Sequence, residues 1–158
     1  MNEIESRLNS ALETVTLAKE IHAKVFPPQN ILIEGLTGSG KTAIVKQWAK
    51  EKGVPLVAYD LSRDVTVVYQ EDSGGILRPV KAEDPVAVAK QLIFHALREY
   101  HGGEDFILFL DDYHNATREN LEAIYYTMDH SKICNPATGE ELSLENLLFT
   151  IAIKTTGL

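Results

Sequence analysis

Apolar residues in this chain fall into two kinds of run, and their alternation predicts the fold. Ile31-Leu32-Ile33-Glu34, Leu56-Val57-Ala58-Tyr59, Phe106-Ile107-Leu108-Phe109-Leu110 and Leu147-Leu148-Phe149-Thr150-Ile151-Ala152-Ile153 are short and nearly continuous, as buried strands should be. Between them the apolar positions switch to three- and four-residue spacing. Ile4, Leu8, Leu12, Val15, Ala18, Ile21 and Val25 make one stripe over residues 3–25, which predicts an amphipathic helix stopped by Pro27-Pro28. Ile44, Val45, Trp48 and Ala49 predict a second helix. Val86, Ala89, Leu92, Ile93, Ala96 and Leu97 predict a third, opened by Pro85 and ended by His101-Gly102-Gly103. A fourth runs from about Ala116 to His130, with Leu121, Ile124, Tyr125 and Met128 facing inward.

Two segments break this alternation. Val65–Tyr69 and Ile76–Val80 flank Ser73-Gly74-Gly75, which predicts a β-hairpin inserted beside the central sheet. Asn135-Pro136 and Thr138-Gly139 mark a second hairpin-like excursion. Strands alternating with helices predict an α/β fold with a doubly wound, mainly parallel sheet. Ligands of such sheets bind at the carboxyl ends of the strands. The expected organisation is a single domain over 1–158, with an N-terminal helix in 1–28 and the core in 29–158. That helix packs on the domain, or serves as a lid or partner surface.

Composition narrows the setting. At 158 residues one domain can bury roughly two thirds of its unfolded surface, and no apolar run nears the ~18 residues of a membrane span. The polar, acidic N-terminus does not read as a signal peptide. A single cysteine, Cys134, forms no intrachain disulfide, so a cytoplasmic location is the simplest expectation. Cys134 has no nearby base in sequence and reads as a structural or surface thiol. The net charge of −8 argues against a broad electrostatic grip on nucleic acid. It leaves room for a nucleotide, whose phosphates a loop of backbone dipoles and one lysine can hold.

Such a loop is present. Gly35-Leu36-Thr37-Gly38-Ser39-Gly40-Lys41-Thr42 fits G-x-x-x-x-G-K-[ST] at every fixed position, between a predicted strand and a predicted helix. Glycines at 35, 38 and 40 are expected to take left-handed turns that bring backbone N–H groups against phosphate oxygens. The following helix points its positive end at the same anion. Lys41 is expected at the β- and γ-phosphates, and the Thr42 hydroxyl on Mg²⁺. Further on, the most apolar strand ends in Asp111-Asp112. Asp111 is the expected partner of Mg²⁺, directly or through water, and Asp112 the group that orients the attacking water. These are the parts of a P-loop nucleoside triphosphatase.

On those residues the chain resembles the AAA+ ATPases, nearest their MoxR-like, dynein-related branch, over about Ile31 to Thr156. Gly35–Thr42 stands as Walker A and Phe106–Asp112 as Walker B. The Asn135–Glu140 turn and the strand Phe149-Thr150-Ile151-Ala152 are also similar. The resemblance implies ATP and Mg²⁺ as ligands and a polar sensor at the γ-phosphate. The matching position is Thr155, with Thr156 as substitute. The chain departs from the family in having Asp112 where Glu is usual. It also lacks counterparts of the fifth core strand, the helical lid and the arginine finger; Arg118, the one arginine just after Walker B, reads as a solvated helix residue. The resemblance therefore implies slow turnover alone, in an oligomer or with a partner that supplies the missing parts.

Other classes remain open at this stage. Asp111-Asp112-Tyr113-His114 and Gln47-Trp48-Ala49 also look like signal-transduction STAND ATPases, which implies a nucleotide-gated interaction module with little turnover. His114 reads as a surface residue or a nucleotide contact. A small-molecule kinase fits the size but lacks an arginine-rich lid. A GTPase is disfavoured, since no Asn-Lys-x-Asp segment occurs.

Overall fold

The computed structural model describes residues 2–21, 30–36, 40–100 and 104–156. Four parallel strands form the central sheet: β1 (Asn30–Leu36), β2 (Leu56–Asp60), β5 (Phe106–Asp111) and β8 (Leu147–Thr156), in the order β1-β8-β5-β2. Helices α1 (Glu3–Glu20) and α2 (Lys41–Lys52) cover one face, and α3 (Pro85–Glu99) and α4 (Arg118–His130) the other. The fold is thus doubly wound α/β. The expected hairpins form outside the main sheet: β3 (Val67–Glu71) with β4 (Leu77–Lys81), and β6 (Lys132–Cys134) with β7 (Glu141–Ser143).

Period-two alternation divides the buried residues of β5 between the layers. Phe106, Leu108 and Leu110 pack with α3 and α4, together with Ile93, Phe94, Leu97 and Ile124. Ile107 and Phe109 face α1 and α2, against Leu8, Val15, Val45, Trp48 and Phe149. Each such side chain contributes about 1.5–3 kcal/mol on leaving water. Trp48 also donates from Nε1 to Asn9 Oδ1 at 2.8 Å, which pins α2 to α1.

The boundaries differ from expectation in four places. First, α1 ends at Glu20 with Ile21 as its cap, and its packed stripe stops at Val15; Leu17 and Ile21 face solvent. Residues 22–29, with the expected Val25 and Pro27-Pro28, lie outside the described residues, as do 101–103 of the expected end of α3. Second, β1 is the edge of the sheet, so only Ile33 of its apolar run is buried and Leu32 stays 48% exposed. Third, the first hairpin strand begins at Val67, because Val65 is drawn into the core.

Fourth, the buried face of α4 carries Asn120, Ala123, Ile124 and Thr127, while Tyr125 is exposed and Leu121 and Met128 are only partly covered. Hydrophobic spacing misses this because two of the buried residues are polar. Their hydrogen bonds explain the burial. Asn120 Nδ2 donates to Leu61 O at 2.9 Å and Arg63 O at 2.8 Å, and its Oδ1 accepts from Tyr59 Oη at 2.5 Å. Thr127 Oγ1 donates to Ala123 O at 2.8 Å.

Burial pushes the Tyr59 hydroxyl up to about 12; nearby Asp60 adds to the shift and Arg63 opposes it. Between pH 10 and about 12 the unfolded chain loses this proton and the folded chain keeps it, so stability falls as pH rises. Urea unfolding of wild type is expected to lose up to about 1.4 kcal/mol per pH unit more than Tyr59→Phe in that window. Parallel pH curves for the two proteins would remove Tyr59 as the cause.

Candidate functional site

The candidate residues converge where the parallel strands end. Gly35 pairs with Thr155 and Leu36 with Thr156 across β1 and β8, and Asp60 pairs with Asp111 across β2 and β5. The ladder between β5 and β8 runs as far as Leu110 opposite Ala152, so β8 continues past the end of β5. A cleft of about 540 Å³ lies at this end of the sheet, lined by Gly40, Lys41, Thr42, Lys46, Asp111, Asp112 and Thr155 among others.

Gly40 is the N-cap of α2 with φ of 79°, a left-handed conformation that a side chain would strain. It offers no side-chain cap, so the first N–H groups of the helix remain directed at the cleft. Gly35 differs from expectation. It continues β1 as extended backbone, because its ladder with Thr155 holds it there. Leu36 ends that strand, and Thr37, Gly38 and Ser39 lie outside the described residues. Lys41 is 7% exposed, and its Nζ donates to Leu36 O at 2.8 Å. Its amine is thereby folded back toward the end of β1.

On the opposite wall, Asp112 is one of two non-glycine residues at positive φ among those described, at 57°. Asp111 Oδ1 accepts the Asp112 N–H at 2.9 Å, which secures this turn. A 3₁₀ turn, Tyr113–Asn115, follows at once. Asp112 Oδ2 receives the Ser62 hydroxyl at 3.3 Å, and Oδ1 lies 3.5 Å from His114 Nε2. Thr155 N donates to His114 Nδ1 at 3.2 Å. The neighbouring Tyr113 hydroxyl, and to a lesser degree burial, raises the Tyr125 pKa above its usual value.

Two of these contributors, Lys46 and Ser62, are not apparent from motifs, and a third, His114, makes contacts that the motif does not indicate. Lys46 enters the cleft because it stands one helical turn beyond Thr42, a spacing visible in the sequence once the helix is assumed. Ser62 reaches Asp112 only because β2 neighbours β5, and nothing local encodes that adjacency. His114 meets both Asp112 and the Thr155 end of β8, because the 3₁₀ turn redirects the chain.

A hard divalent cation suits the oxygen donors here. Mg²⁺ needs few protein ligands when phosphate and water complete its shell, and the Thr42 hydroxyl and Asp111 carboxylate share the cleft. Among the described residues no cluster of three or more His, Cys, Asp or Glu could hold a metal without such help.

No protein-family model matches the chain, and a search of curated proteins finds no match. Among 277 matching chains of solved structures is the crystal structure of NtrX from Brucella abortus, at 19% identity and a TM-score of 0.50. The alignment covers 95% of this chain and 30% of NtrX, so the chain spans less than a third of that protein. At this identity the likeness shows the fold alone. Among the described residues no helix is long and apolar enough to cross a membrane.

The backbone at Asp112 gives a test that is independent of ligands. A left-handed conformation costs a residue with a Cβ about 1 kcal/mol relative to glycine. Asp112→Gly is therefore expected to exceed Asp112→Ala in urea-unfolding stability by about that amount. Equal stabilities would mean that position 112 is not held at positive φ.

Proposed function

We propose that the chain is an Mg²⁺-dependent ATPase of AAA+ type, slow on its own and completed by an oligomer or a protein partner. One observation carries this reading: Gly40, Lys41, Thr42, Asp111, Asp112 and Thr155, drawn from three separate stretches of sequence, line a single cleft. The strand order supports it too, since β8 delivers Thr155 between the phosphate-loop strand and the aspartate strand.

In this reading the N-terminus of α2 and the Lys41 amine bind the triphosphate. Lys41 exchanges its contact with Leu36 O for phosphate oxygens. Thr42 and Asp111 hold Mg²⁺, which when bound neutralises phosphate charge and polarises the phosphoryl group. Asp112 orients a water whose oxygen bonds to the γ-phosphorus as the bond to the β–γ bridging oxygen breaks. ADP and phosphate leave, and the water's proton passes by way of the Asp112 carboxylate to solvent. Thr155 presents a hydroxyl near the same phosphate. Asp112 is one methylene shorter than the usual Glu, and misplacement on the scale of 1 Å costs about 100-fold in rate.

A second reading, a nucleotide-gated interaction module, is favoured by the engagement of the Asp112 carboxylate with Ser62, which draws it toward β2. The two readings part on turnover: hydrolysis that stays undetectable while ATP binds would select the module.

Titration with ATP, ADP and GTP alongside phosphate release tests the proposal. ATP is expected to bind in the presence of Mg²⁺, with turnover on the order of minutes in dilute protein. Lys41→Ala should abolish triphosphate binding with the fold intact; an unchanged affinity and rate would overturn the assignment. Asp111→Asn should weaken ATP binding with Mg²⁺ far more than without it. Equal losses in the two conditions would leave Asp111 with a structural role only.

A further inference from the structure

The ladder between β5 and β8 ends at Leu110 and Ala152, yet the groups facing the cleft, Asp112 and Thr155, lie beyond it. No regular backbone pairing fixes one relative to the other. His114 stands in the gap. Its Nδ1 accepts the Thr155 N–H at 3.2 Å, so in the neutral ring the proton sits on Nε2. Nε2 faces Asp112 Oδ1 at 3.5 Å, a separation that a small shift of either side chain closes to a hydrogen bond. His114 is an exposed residue of the turn, with its imidazole ring 26% exposed between these two partners.

We propose that His114 is a positioning residue that couples the Asp112 carboxylate to the Thr155 end of β8 and so sets the relative placement of the acid and the sensor strand. This role rests on the ATPase reading above. Ser62 is a weaker restraint on Asp112, since its hydroxyl also donates to Asp60 Oδ1 at the shorter distance of 2.6 Å. Ser62 also ties Asp112 to β2, away from β8. His114 is the described side chain with contacts to both Asp112 and Thr155. A short carboxylate on a left-handed residue gains most from such a guide, because misplacement on the scale of 1 Å costs about 100-fold in rate.

The test uses the whole chain and two substitutions. His114→Ala removes both contacts, whereas the amide of His114→Gln retains one acceptor and one donor. His114→Ala is expected to lower the turnover of Mg²⁺-ATP by about 10- to 100-fold with nucleotide affinity changed less than about threefold. His114→Gln is expected to stay within about fivefold of wild type. Equal rates for His114→Ala and wild type, or a Gln variant as slow as the Ala variant, would overturn the proposal. Imidazole ¹⁵N spectra of the wild-type chain supply an arm that needs no activity. They should show one neutral tautomer with the proton on Nε2 and Nδ1 as acceptor. An averaged or Nδ1-protonated ring would refute the bridge whether or not the chain hydrolyses ATP. A chain with the expected tautomer but no ATP binding would instead refute the ATPase reading, and with it a catalytic purpose for the bridge.

Discussion

A strand with five consecutive buried residues imposes most of the architecture. Phe106 to Leu110 expose almost nothing, so β5 needs apolar cover on both faces and a strand along each edge. The helices meet the first demand, and β2 and β8 the second. Only the end of such a strand is left open to water. Charge appears there at once, as Asp111 and Asp112, and the cleft forms at that end rather than on either face. Burial and chemistry are therefore one constraint: the covering that makes β5 unreactive along its length confines its carboxylates to a single exit.

Much of this is legible in the residues themselves. The near-continuous runs at 31–34, 56–59, 106–110 and 147–153 match strands, and helical spacing finds the four α-helices among the described residues. What is lost is information that belongs to neighbours. That Ile31 and Leu32 lie on an edge follows from strand order, which no local pattern carries. The face of α4 is misread because Asn120 looks like a surface residue until Tyr59, Leu61 and Arg63 surround its amide. The motif at 35–42 points to the cleft, yet Gly35 behaves as strand because its partner is Thr155, 120 positions along the chain.

The same distinction applies to the acids. Two adjacent aspartates after a strand are easily read as a pair. Backbone geometry separates them: Asp111 completes the ladder with Asp60, while Asp112 turns left-handed and meets Ser62 and His114. One carboxylate is thus set by sheet pairing and the other by a turn. That division suits a site in which one group must be fixed and the other directed.

The place of β8 also bears on how the protein comes into being. β8 is the last of the described strands in chain order, yet it lies between β1 and β5, with Asn30 against Thr150. Until it is inserted, β1 has no partner in the sheet. Such long-range parallel pairing closes large loops before it is rewarded, which makes folding slow and leaves apolar strands exposed meanwhile. In the nucleotide-binding reading proposed above, a ligand bound in the cleft would hold this long-range pairing closed.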